Sequence, residues 1–93
     1  MEEQELRLEE LYQLMEEVDA LEAPTRGEVE DLNYKLRKFL EALLIKSNYD
    51  YELLDLYYQV GENYEEIKSN PSRGLKRLRE ILVAIAMRIE GEQ

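Results

Sequence analysis

The chain has 93 residues, with 22 acidic and 12 basic side chains, a net charge of −10, and no cysteine, histidine or tryptophan. That length supports one domain with a modest core. The missing residues exclude disulfide frameworks, thiolate metal sites and histidine chemistry, while the acidic balance disfavours nucleic acid and anionic lipid and favours a basic protein partner.

The opening MEEQELRLEE lacks the basic and apolar regions of a secretory signal. The longest apolar run, ILVAIAM at 81–87, is far short of the about 20 residues that span a bilayer. A soluble cytoplasmic protein with no membrane contact is the expectation. Turn-forming stretches at APTRG (23–27), KSNYD (46–50) and KSNPSRG (68–74) divide the chain into four segments.

The first segment carries Leu8, Leu11, Leu14 or Met15, Val18 and Leu21, the three- and four-residue steps of an amphipathic helix over about 3–22. The second repeats the pattern through Val29, Leu32, Leu36, Phe39 and Leu43, giving a helix over about 26–46 that opens on a Thr25 and Glu28 capping box. The third, about 50–68, places Leu53 or Leu54, Tyr57, Val60, Tyr64 and Ile67 inward, with Asn48 or Asp50 as its cap. The fourth, about 71–90, runs through Leu75, Leu78, Leu82, Ile85 and Ile89. Asn70 and Pro71 start it and Gly91 suits its C-terminal cap. It is apolar on nearly every side from Ile81 to Met87, which predicts a central place touching more than one other helix.

No alternating strand pattern competes, and the connections are short. The fold class is therefore all-α: a single-domain antiparallel four-helix bundle. Charge alternates along it. The first and third segments hold nine acids with one base and six with one, while the second and fourth hold four with five and three with five. Adjacent helices are thus of unlike sign. Arg73, Lys76, Arg77 and Arg79 are expected to pair with Glu62, Glu65 and Glu66 across the last turn.

Tyr57, Val60, Gly61 and Tyr64 stand at spacings that resemble the first-helix signature of a tetratricopeptide repeat, so residues 57–81 resemble one such helical hairpin. A hairpin turning near Ser69 and Asn70 puts Gly61 at the level of Leu78 and Gly74 at that of Tyr64 or Glu65. Both glycines are then expected to be packing notches, with Gly61→Leu overpacking the core.

Candidate chemistry is sparse. Adjacent glutamates such as Glu9 and Glu10, Glu16 and Glu17, or Glu65 and Glu66 point different ways on a helix and read as solvated faces. Residues 48–52 alternate oxygen-bearing side chains, but lack the sixth-position glycine and terminal glutamate of a calcium loop. Ser47, Ser69, Ser72 and Thr25 lie in turns without a base to activate them. No catalytic, metal or cofactor residue is therefore nominated, and no enzyme is expected.

Five of seven tyrosines fall between 49 and 64. Tyr49, Tyr51 and Tyr58, with Asp55, form a candidate protein-contact surface, since tyrosine and acid together suit a basic partner. Asp55, Tyr57 and Tyr58 form a D-x-x-Y-Y run similar to that of the immunity proteins that block nuclease colicins. That resemblance implies an acidic four-helix inhibitor of a basic toxin. The absence of chemistry, the matched caps and the Leu- and Glu-rich helices point first to a non-enzymatic scaffold with no native ligand, a designed sequence. A protein-interaction module, repeat-like or immunity-type, is the alternative. A monomer is expected, with a dimer as the other possibility.

Overall fold

A computed structural model describes the backbone over residues 2–91 and side chains over 8–91. Four helices follow one another: α1 (Glu2–Ala20), α2 (Arg26–Lys46), α3 (Tyr51–Ser69) and α4 (Pro71–Gly91). No strand occurs among the described residues.

Each boundary has a local cause. The first helix stops at Ala20, ahead of Pro24, and its last turn closes through the Leu21 amide on the Val18 carbonyl at 3.3 Å. Thr25 caps α2 through the full reciprocal box: its hydroxyl accepts from the Glu28 amide, and the Glu28 carboxylate accepts from the Thr25 amide. At the far end of α2 the Tyr49 amide reaches the Leu44 carbonyl at 2.7 Å and the Asn48 amide reaches Ile45 at 3.3 Å, a Schellman closure. Asn48 therefore ends α2, and Asp50 takes the N-cap position of α3. Its carboxylate makes no cap bond; it goes to Arg88 instead. Asn70 alone joins α3 to α4, donating its amide to Glu66 and accepting from the Arg73 amide at 3.2 Å. Gly91 ends α4, and the residues that would show it as a cap lie outside the described ones.

Pairs across the helices show that neighbours run antiparallel. Asn33 meets Asn63 while Glu41 meets Tyr57, and Glu66 meets Arg73 while Asp50 meets Arg88. In α1 and α4, Asp19 meets Arg79 at 3.0 Å and the Tyr12 hydroxyl donates to Glu90. Helix α4 touches all three others, and α2 also meets it across the bundle's short diagonal. Among the described residues the two acidic helices, α1 and α3, share no close approach. The cross-section thus separates the like charges. Cross-helix ion pairs join an acid of α1 or α3 to a base of α2 or α4: Glu17 with Lys35, Asp19 with Arg79, Glu62 with Arg77, Glu66 with Arg73. Each is exposed and screened by water, so these pairs add little to stability.

The core is continuous: Leu11, Leu14 and Val18 from α1; Val29, Leu32, Leu36, Phe39, Leu40, Leu43 and Leu44 from α2; Leu53, Val60 and Ile67 from α3; and eight α4 positions from Gly74 to Ile89. Three expectations need correction. Tyr64 is 42% exposed, with Lys68 over its ring, because the inward face of α3 runs through Val60, Asn63 and Ile67. Gly61 faces solvent, and a Cβ there would meet nothing within 4 Å. It stands at the predicted level but on the wrong side of the helix. Arg79 pairs with Asp19 of α1 at 3.0 Å rather than with an acid of α3, although α4 is central as expected and touches all three other helices.

Gly74 is the true notch. A Cβ placed on it would lie 2.4 Å from Ile67 Cγ1 and 3.1 Å from Ile67 Cα. Beside it, two asparagines are buried. Asn63 Nδ2 donates to the Gly74 carbonyl at 3.0 Å and to Asn33 Oδ1 at 3.2 Å, and Asn33 Nδ2 donates to the Val60 carbonyl at 3.2 Å. The chain of bonds ties α2, α3 and α4 at one level. Asn63 Oδ1 is buried without a hydrogen-bond partner.

Candidate functional site

Helix α3 turns about 100° per residue, so positions 51, 55, 58, 62 and 65 stack along one side. That side holds Tyr51, Asp55, Tyr58, Glu62 and Glu65, and all are exposed. Tyr51 and Tyr58 are 83% and 61% exposed, in contrast to half-buried Tyr57, which packs on the core. Tyr57 is fixed further by its hydroxyl, which donates to Glu41 at 3.1 Å and accepts from Arg37 Nε at 3.3 Å. This hydrogen bond, and then the nearby Lys38 and Arg37 charges, hold the Glu41 carboxyl below its usual range. The Tyr58 ring leans on Tyr57 with centroids 6.3 Å apart, which steadies an otherwise solvated aromatic.

Of the four predicted contact residues, the helix brings Tyr51, Asp55 and Tyr58 onto one face. Tyr49 stands apart in the α2–α3 connection, with φ of 61° after Asn48 at 57°. Both are in the left-handed region, and Tyr49 has no glycine-like freedom to relieve it.

Tyr51 and Asp55 also line a groove of about 270 Å³ between the start of α3 and the end of α4, together with Glu52, Leu56, Ala84 and Arg88. Arg88 lies at 2.8 Å from Asp50 and 2.9 Å from Glu52. Asp55 accepts from the neutral Gln59 amide at 2.9 Å. Sequence reasoning missed Ala84 and Arg88. The signal was the hairpin register, since the spacing that sets Glu66 against Arg73 and Glu62 against Arg77 carries on to bring Asp55 level with Ala84 and Tyr51 with Arg88.

A larger groove of about 430 Å³ runs between α1 and α2 over Leu14, Phe39 and Ala42. Its rim sets Glu10 and Glu17 against Lys35 and Lys38, and the Glu17 to Lys35 pair at 3.3 Å raises the Lys35 pKa. Balanced charge selects no partner. Among the described residues no three or more Asp and Glu side chains are grouped to hold a metal, and no helix is long and apolar enough to cross a membrane. Comparison with protein families, curated proteins and solved structures finds no match.

Proposed function

We propose that this chain is a non-enzymatic protein-binding bundle that presents the outer face of α3 to a basic partner. One observation carries the reading: Tyr51 and Tyr58 are held in solvent on the same helical face as Asp55, Glu62 and Glu65. Isolated surface tyrosines are ordinary, but an aromatic and acidic row supplies buried contact area and charge complementarity together. The test uses Tyr58→Ala, which changes no charge, against a panel of small basic proteins in a salt-dependent titration. The reading expects affinity to fall about tenfold for a specific partner with the salt slope preserved. Unchanged affinity would mean that charge alone is felt and would defeat the proposal.

A scaffold of designed sequence with no native ligand is the second reading. The reciprocal Thr25 box, the Asn70 junction and the alternation of ion pairs favour it. The buried asparagines and the left-handed Tyr49 depart from idealised practice. Under this reading Tyr58→Ala has no effect on any binding.

A further inference from the structure

We propose that the groove between α3 and α4 receives a lysine side chain of the basic partner, an inference that rests on the reading of α3 as the partner-binding face. A lysine has two parts, an apolar four-carbon stem and a compact ammonium, and the groove offers a surface for each. Leu56 and Ala84 are half-buried and form an apolar floor for the stem. Asp55 and Glu52 stand at the rim, where the ammonium arrives, and the Tyr51 ring is 83% exposed beside them, open to cation–π contact.

The charge balance within the groove decides the sign of the guest. Among the described residues that line it Arg88 is the one base, and two carboxylates, Asp50 and Glu52, already hold it. Asp55 adds a third acid, met by the uncharged Gln59 amide. The site is thus left with excess negative charge, and the paired Arg88 guanidinium acts as a rigid wall. The α1–α2 groove has more room but an acid bank facing a basic one, so it lacks this preference.

The test is titration of the isotope-labelled chain with acetyl-Gly-Lys-Gly-amide and with the same peptide carrying norleucine, followed by amide chemical shifts. Saturable shifts confined to residues 51–58 and 84–88 are expected with lysine and none with norleucine. Ala84→Met fills the floor without changing charge, and Tyr51→Ala removes the ring; each should weaken lysine binding at least about fivefold, with the helical fold checked by circular dichroism. Equal binding by Ala84→Met, equal shifts with norleucine, or shifts spread as strongly along the acidic face of α1 would overturn the groove assignment. Tyr58 lies outside the groove. Binding of a basic protein that still depends on Tyr58 but ignores Ala84→Met would therefore reject the lysine site and leave the α3 reading standing.

Discussion

Replacing each helical glycine of the α3–α4 hairpin by alanine should move stability in opposite directions. At Gly61 the new methyl meets nothing within 4 Å, so only helix propensity changes. Alanine is better there by about 0.5–1 kcal/mol, a rise of roughly 2–8 °C in melting temperature for a domain of this size. At Gly74 the methyl would overlap Ile67 Cγ1 at 2.4 Å and crowd Ile67 Cα at 3.1 Å. Side-chain rotation relieves the first contact but not the second, because a backbone atom yields only if α3 and α4 separate. Separation also pulls the Gly74 carbonyl from Asn63. Overpacking of this kind costs about 1–3 kcal/mol and the propensity gain returns roughly 1, so Gly74→Ala should lower stability by up to about 2 kcal/mol. The melting temperature should fall, by up to about 15 °C. Thermal melts by circular dichroism on the two variants and the parent decide the matter. A rise for Gly74→Ala would show that the helices are not in backbone contact there, and a fall for Gly61→Ala would show that the position is not open.

Three further outcomes follow from the same geometry. Asn63→Leu should destabilise by about 2 kcal/mol in urea melts, since it strips the donor from two buried acceptors; a neutral result would mean the asparagine bonds add nothing net. Tyr49→Gly should stabilise by about 0.5–1 kcal/mol by relieving the left-handed backbone, and it should leave partner binding intact because Tyr49 is off the α3 face; a loss of stability would refute the strain. The Thr25 amide and hydroxyl hold Glu28 below its ordinary value of 4.5, and the Tyr57 hydroxyl does the same for Glu41. The folded chain then binds fewer protons than the unfolded one near that value, so this stabilisation is whole above it and is lost as pH falls through the lower folded values. Melting temperatures between about pH 6 and about pH 3 should therefore fall less steeply in Thr25→Ala and Tyr57→Phe than in the parent, and identical slopes would contradict this.

Periodicity is what made the bundle legible. The stripes of α1, α2 and α4 put their apolar residues where the core lies, and α2 begins and ends at the expected residues. Register within the last hairpin was legible too, because one asparagine fixes the turn. Azimuth was not. Choosing Tyr64 over Asn63 as the inward residue rotates α3, and with it Gly61. The choice follows from polarity, since a buried amide is recognised only by partners such as the Gly74 and Val60 carbonyls, which belong to backbone that carries no side-chain signature. Likewise, composition alone nominates Tyr51 and Asp55, whereas Ala84 and Arg88 join the groove they line only through the pairing of two helices.

The measurement that bears most directly on α3 as the working face compares two sets of variants against one basic partner. One neutralises α1 at Glu9, Glu10 and Glu16; the other removes Tyr51 and Tyr58 and leaves every charge in place. If α3 is the contact surface, the tyrosine variant loses at least about tenfold in affinity at unchanged salt slope, while the α1 variant keeps its affinity at moderate salt. Loss following the α1 charges, with the tyrosine variant binding like the parent, would contradict it.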